Sequence, residues 1–349
     1  MNSTFRRFLS VLALLALALA GGCYWYLFHA SNTAFQDESR RFYITRDLDG
    51  EGVIRKLSNE GIIKHSRTLR WSISGNNQDM FKPGRYRIPN GMSNTALIRM
   101  LQNGEQEALA IPVTDLRNVS RIAGRLAQYL ELDSSAFAGY LLDPSRIDSC
   151  GFTPASWPAF FLAGEYTLRW TDTPSQVFRQ FERTYHHFWN AERTVLAAQM
   201  GMSPAEITTL ASVVKGEAMK PEEAPRIAGL YLNRLRTGMP LQADPTVVFA
   251  LGMDQLGQVL FSDLDVDSPY NTYNHPGLPP GPIFITDSVY ISAVLHAESH
   301  AYIYMCAKPG GIGEHAFAAT YKEHLENASA YRKWLRDYQA GSAADSSSQ

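Results

Sequence analysis

The chain has little cysteine and no surplus of either charge. Three cysteines in 349 residues, one of them inside an apolar stretch, exclude a disulfide framework and a thiolate metal cage. Lys and Arg total 32 against 34 for Asp and Glu, a formal net charge of -2. A nucleic-acid-binding protein usually leaves a basic footprint, so this balance argues against a nucleic-acid partner. Hydrophobic residues, at 45%, are enough for sizeable cores, and the length suits two or three small domains. The histidine pattern is also incomplete for zinc. His296-Ala297-Glu298-Ser299-His300 has the i, i+4 spacing of a metal-binding helix but lacks Glu directly after the first His. Two histidines on a surface helix are expected there, with no metal and no cofactor.

One long hydrophobic run is present. Phe8–Phe28 carries no charge and, at about 1.5 Å per residue, would span roughly 31 Å as a helix. Arg6 and Arg7 precede it, and Asp37 and Glu38 are the first charges after it. That bias puts 1–7 in the cytoplasm and the rest outside the cytoplasmic membrane, with Tyr24, Trp25 and Tyr26 at the exit interface. A cleaved secretory signal and a lipoprotein signal acylated at Cys23 are the competitors. Against both, the apolar run continues past Cys23, and no Leu stands three residues before it.

Residues 29–41 read as a polar juxtamembrane linker. Phe42-Tyr43-Ile44 alternates like a strand and leads to helical spacing over Gly52–Ile63 with Gly61 as a stop. Lys82–Pro89 reads as a turn and strand, followed by a helix capped by Ser93 and ended by Gly104. This pattern over 42–109 fits a small LysM-like glycan-binding module, and an unspecialised βα unit fits it equally. Val119–Tyr129 and Pro174–Phe188 have helical periodicity, with Phe152–Tyr166 expected as an aromatic loop between them. Residues 339–349 read as a disordered tail. Cys150 and Cys306 could pair outside the membrane, although nothing requires it.

The chemistry-bearing stretch begins at Ser203-Pro204-Ala205-Glu206, which combines a cap, Pro at the first helical position and Glu at the third. The helix it starts places Ile207, Leu210, Ala211, Val214 and Ala218 on one face. At roughly 100° per residue, Glu217 falls about 20° from Leu210, at the edge of that stripe. Partial desolvation there raises a carboxyl pKa and favours holding a proton near neutral pH. Spacing alone fits an ordinary salt-bridged glutamate as well. A second amphipathic helix carries Ile227, Ala228, Tyr231, Leu232 and Leu235 and ends at Gly238. Asp244 then reads as a helix cap before Pro245. Tyr270-Asn271-Thr272-Tyr273 and Gly277–Pro282 form a rigid loop whose rings and amide suit a sugar, or whose tyrosines plug a core.

Taken together, Ala211-Ser212-Val213-Val214-Lys215-Gly216-Glu217, Ile227-Ala228-Gly229, Asn233-Arg234-Leu235, Leu241–Val247, Tyr270–Tyr273 and Gly277–Ile283 resemble the MltG/YceG-like endolytic murein transglycosylases. Their order and approximate spacing match over 207–325. The resemblance implies an α+β chain with a single N-terminal transmembrane helix (8–28), a LysM-like module (42–109) and a mixed α+β catalytic domain (110–338). It implies Glu217 as acid/base, where the last carboxylate of the family's Ala-Ser-x-x-x-x-Glu run falls. Relatives often carry a second Glu two positions earlier, which is Lys215 here. The family's Pro-Asp-Thr-Tyr segment reads Ala163-Gly164-Glu165-Tyr166, so Glu165 is a candidate replacement for the missing Asp. Gln242, Asp244, Asn271, Tyr273 and Asn233 are the expected glycan-binding residues. The expected partners are peptidoglycan glycan strands, the cytoplasmic membrane and peptidoglycan synthases. The expected reaction cleaves the MurNAc-β-1,4-GlcNAc bond and leaves a 1,6-anhydro end, terminating nascent strands. A two-carboxylate muramidase using Asp244, Asp267 or Glu165 and a non-catalytic peptidoglycan-binding scaffold are the alternatives.

Overall fold

The computed structural model describes residues 3–73, 81–114, 116–253 and 259–346. It is a mixed α+β structure, with elements in the order α1 (Ser3–Phe28), β1 (Ser39–Ile44), α2 (Gly50–Asn59), α3 (Ser66–Ser72), β2 (Gly84–Pro89), α4 (Asn94–Asn103) and β3 (Ala108–Val113). There follow α5 (Val119–Ala127), α6 (Ser134–Leu141), α7 (Pro144–Ser149), β4 (Leu162–Arg169), α8 (Pro174–Phe188), α9 (Ala191–Gln199), α10 (Pro204–Glu217) and α11 (Ala224–Arg236). The last elements are α12 (Asp244–Ala250), β5 (Thr286–Asp287), α13 (Ser288–Leu295), β6 (Tyr304–Ala307), β7 (His315–Ala318) and α14 (Tyr321–Ser346). The chain divides into two compact units. Unit 1 holds Met1–Ala110 with Tyr129–Glu131 and Thr167–Asp172, and unit 2 holds the remainder.

In unit 1, α1 is long and apolar enough to cross a membrane over Phe5–Phe28. Beyond it, β1 and β2 pair antiparallel, with Phe42 opposite Tyr86 and Ile44 opposite Gly84. Alternation sends Phe42, Ile44, Tyr86 and Ile88 inward, where they meet Val53, Leu57, Leu69, Leu97 and Leu101. Among the described residues two helices lie between the paired strands in sequence, giving β-α-α-β with α4 added. Ser93 Oγ accepts from Ala96 N to cap α4, and Gly104, at φ 68°, ends it.

The polar stretch after α1, read as a linker over 29–41, carries two packed side chains. Asn32 and Thr33 are buried. Asn32 Oδ1 accepts from His65 N at 2.8 Å, and its Nδ2 donates to Asn94 Oδ1 at 2.7 Å. Thr33 Oγ1 donates to Pro89 O at 2.9 Å and accepts from Met92 N at 2.6 Å. These polar side chains are the partners of buried backbone groups, which must be paired.

Unit 2 is built around α10, which packs against α11, α12 and α13. The strand order is β3-β4-β5, with β4 and β5 parallel (Ala163 opposite Asp287), and β6 and β7 form a separate antiparallel pair. The aromatic stretch expected as a loop is partly core. Trp157, Phe160 and Phe161 are buried, Phe160 stacks on Phe178 at 5.4 Å, and Trp157 Nε1 donates to Leu141 O at 2.9 Å. Aromatic density, not periodicity, is what buries this segment. Helix α14 runs on to Ser346, into the stretch read as tail. The thiols of Cys23, Cys150 and Cys306 are all free.

Candidate active site

Helix α10 starts at a reciprocal cap. Glu206 N donates to Ser203 Oγ at 3.2 Å and Ser203 N donates to Glu206 Oε2 at 2.8 Å, with Pro204 at the first helical position. The helix is buried on nearly all sides from Ile207 to Val214. Its hydroxyls are satisfied locally: Thr208 donates to Pro204 O and Thr209 to Ala205 O, each at 2.8 Å. Ser212 Oγ accepts from Ile283 N at 3.0 Å, fastening the Gly/Pro-rich loop to the helix. The helix ends at Glu217, so the last helical side chain is the candidate acid.

Gly216 explains how a second carboxylate reaches it. A Cβ there would lie 2.6 Å from Pro245 Cβ, too close for any other residue. The last turn of α10 and the first turn of α12 therefore touch, and Asp244 comes into electrostatic reach of Glu217. Asp244 is not the cap it was expected to be. Ala243 occupies the cap position, and Asp244 Oδ1 instead accepts from Tyr273 Oη at 2.6 Å.

The preceding turn is held tightly. Gln242 has φ 48°, unusual for a residue with a side chain, and its N donates to Thr272 O at 3.0 Å. Ala243 N donates to Thr272 Oγ1 at 3.0 Å. From below, buried Arg234 donates to Leu241 O at 2.6 Å, Ile303 O at 2.7 Å and Pro240 O at 3.3 Å. These carbonyls take the place of a carboxylate partner for the guanidinium.

Glu217 is partly buried and accepts from Tyr231 Oη at 3.2 Å. Burial, followed by the negative charge of Asp244, pushes its pKa up to about 7. The Tyr231 hydrogen bond and the positive charge of Arg234 pull the other way and do not prevail. Burial and the adjacent Asp244 likewise keep the Tyr273 phenol protonated. The site thus holds one carboxyl that is half protonated near neutral pH, beside a second carboxylate and two tyrosines. General acid/base chemistry asks for a group of this kind.

A model of the YceG-like family matches residues 42–330. The chain belongs to the YceG-like family. It is 28% identical over 284 residues to the endolytic murein transglycosylase of Bacillus subtilis, covering 77% of this chain and 78% of that protein. To the endolytic murein transglycosylase of Streptococcus pneumoniae it is 25% identical over 314 residues, and it spans just over half (56%) of that longer relative. The 2.6 Å crystal structure of a YceG-like protein from Listeria monocytogenes superposes with a TM-score of 0.55 at 25% identity, covering 83% of this chain and 98% of that one.

Within this YceG-like chain the expected site residues separate into two groups. Glu217, Asp244 and Tyr273 come together, and exposed Gln242 adjoins them in sequence. Asn271 and Asn233 are committed elsewhere. Asn271 is buried, and its Nδ2 donates to Leu264 O at 2.8 Å and Val266 O at 3.0 Å. Asn233 Nδ2 donates to His300 O at 2.8 Å and Tyr302 O at 3.0 Å. Both amides brace loops, a use that a motif of sugar-compatible residues does not reveal. Glu165 is exposed on β4, so the variant Ala163–Tyr166 segment is strand, not loop. Lys215 pairs with Asp287 Oδ2 at 2.7 Å.

Tyr231 and Arg234 were not foreseen as parts of the site. Tyr231 read as a core aromatic on the apolar face of its helix, which it is, except for its hydroxyl. His296 and His300 are not on a helix, since α13 stops at Leu295. His300 Nε2 lies 2.9 Å from Arg226 O and its Nδ1 accepts from Tyr302 N at 3.1 Å, so both ring nitrogens are occupied by backbone. The segment beyond Glu217 is latched to the β6–β7 hairpin. Lys220 meets Glu314 Oε1 at 2.6 Å, and His315 Nδ1 meets Glu223 Oε2 at 3.0 Å.

Proposed function

We propose that the chain is a membrane-anchored lytic transglycosylase that cuts within peptidoglycan glycan strands at the MurNAc-β-1,4-GlcNAc bond. The observation that carries this reading is Glu217, held near pKa 7 at the end of a buried helix beside Asp244. The names of the Bacillus and Streptococcus relatives support it. In the protonated state Glu217 gives its proton to the leaving O4 as the glycosidic bond breaks. The resulting carboxylate then takes the proton of the muramoyl 6-hydroxyl while that oxygen bonds to C1, closing a 1,6-anhydro ring. Glu217 ends the cycle protonated, and no water is consumed. One carboxyl suffices because the substrate supplies its own nucleophile.

Asp244, through its negative charge, raises the affinity of Glu217 for its proton and stabilises positive charge developing on the sugar. Gln242 and Tyr273 are the polar groups proposed to hold the glycan. α1 is proposed as the anchor, with residues 1–7 cytoplasmic and both units outside the cytoplasmic membrane. The paired strands and helices of unit 1 are proposed as a LysM-like glycan-binding module. Acting on strands as synthases extrude them, such an enzyme would set strand length.

Mass spectrometry of products from uncross-linked glycan strands tests the reading. Fragments one water lighter than hydrolysis products, lost with Glu217→Gln, are expected. Fragments carrying the full water would assign hydrolysis instead, with Asp244 as the second carboxylate.

A further inference from the structure

The last carbonyls of a helix have no partner within the helix. In α1 the last two, of Leu27 and Phe28, are taken by side chains of α3 and α4. Asn94 Nδ2 donates to Leu27 O at 2.7 Å, Ser72 Oγ to Leu27 O at 3.0 Å and Thr95 Oγ1 to Phe28 O at 2.7 Å. Helix α3 meets the same turn at both of its ends, since its cap residue His65 sets its ring 6.4 Å from that of Tyr26. At about 1.5 Å per residue, Tyr26 is only about 3 Å along the axis from Phe28. Helix α3 is therefore level with the end of the apolar run.

The outward side of α3 has a matching composition. Trp71 is 70% exposed, although a tryptophan in water leaves a large apolar ring uncovered. Arg67 lies one turn before it on the same stripe, and exposed Lys64 just precedes the helix. Among the described residues neither cation has a carboxylate partner, whereas Arg70, on another side, is bound to Glu51. Tryptophan and tyrosine favour the depth of lipid headgroups, and cations there are drawn to anionic lipid.

We propose that the face of unit 1 formed by Lys64, Arg67 and Trp71 docks into the headgroup layer of an anionic bilayer. This rests on α1 spanning that bilayer. The anchor then does more than tether the module: lipid contact at α3 fixes which side of unit 1 faces the membrane.

The test uses the full chain reconstituted in vesicles of equal parts phosphatidylcholine and phosphatidylglycerol, with acyl chains brominated near the headgroup or near the chain end. Comparing wild type with Trp71→Phe isolates the emission of Trp71. Quenching of that difference by the shallow bromines, at least twofold stronger than by the deep ones, is expected. Lys64→Glu with Arg67→Glu is expected to halve it. Trp71 emission equally bright in brominated and ordinary lipid overturns the docking, and unchanged quenching in the charge-reversed protein overturns the anionic assignment. Failure of the anchor reading looks different: the protein would not float with the vesicles at all, and the docking would fall with it.

Discussion

The Tyr231 hydroxyl donates to Glu217 Oε1 at 3.2 Å, opposing the direction in which burial and Asp244 drive that carboxyl. Two neighbours of one acid thus pull its proton affinity in opposite senses. The substitutions Tyr231→Phe and Asp244→Asn are expected to shift the alkaline limb of kcat in opposite directions. Loss of the tyrosine hydrogen bond moves it up, and loss of the aspartate charge moves it down. pH–rate profiles of the two variants check this, and limbs moving together would refute the opposition.

Glu217→Gln keeps the shape of the side chain and removes its proton chemistry. Positioned acid/base catalysis contributes about 10²–10⁴-fold, so kcat is expected to fall by at least that much. Circular dichroism should stay unchanged. A variant retaining a tenth of the wild-type rate would move the acid/base role to another group.

The same substitution has a consequence for stability. Glu217 holds its proton up to about pH 7 in the folded chain, against an ordinary value of 4.5. The folded state therefore binds more protons between those values, and stability falls as pH rises through that window. The stabilisation is complete below about 4.5 and lost above about 7. A difference on the order of 3 kcal/mol between acid and alkaline sides is the upper figure for such a shift. Thermal melts across this range should show the decline in wild type and a flatter profile in Glu217→Gln.

Local chemistry was the legible part of this fold. The Ser203 cap, Pro204 and Glu206 announced the start of α10, and the apolar spacing placed Ile207, Leu210, Ala211 and Val214 in the core, where they are. The helical periodicity over Pro174–Phe188 matches α8 to the residue. What eluded the sequence needed two segments at once. Nothing near Asp244 signals a bond to Tyr273, and its place before Pro245 favours a cap position that Ala243 occupies instead, with no side-chain cap. The burial of Asn32 and Thr33 is not legible locally because their partners, His65, Asn94, Pro89 and Met92, are remote in sequence. The alternation that separates helix faces also failed on α10. Its Thr and Ser hydroxyls bond to their own backbone, so polar residues could be buried there.

Gly229 is a packing constraint of a sharper kind. A Cβ at this position would collide with Glu298 O and lie 2.8 Å from His300 Nε2, so α11 runs against backbone that has little room to move. Gly229→Ala is expected to destabilise the protein by about 1–3 kcal/mol, the usual cost of overpacking. Denaturant unfolding measures it. A neutral result would mean that the 298–300 segment yields easily.

The caps on Leu27 and Phe28 tie the end of α1 to α3 and α4 through three hydrogen bonds. Membrane helices tilt by about 20° on average, more when their apolar length exceeds the local bilayer thickness. In a bilayer, a tilt of α1 would act on the rest of unit 1 through those bonds. The thickness of the lipid would then be a mechanical input to the orientation of the module, transmitted through three hydrogen bonds.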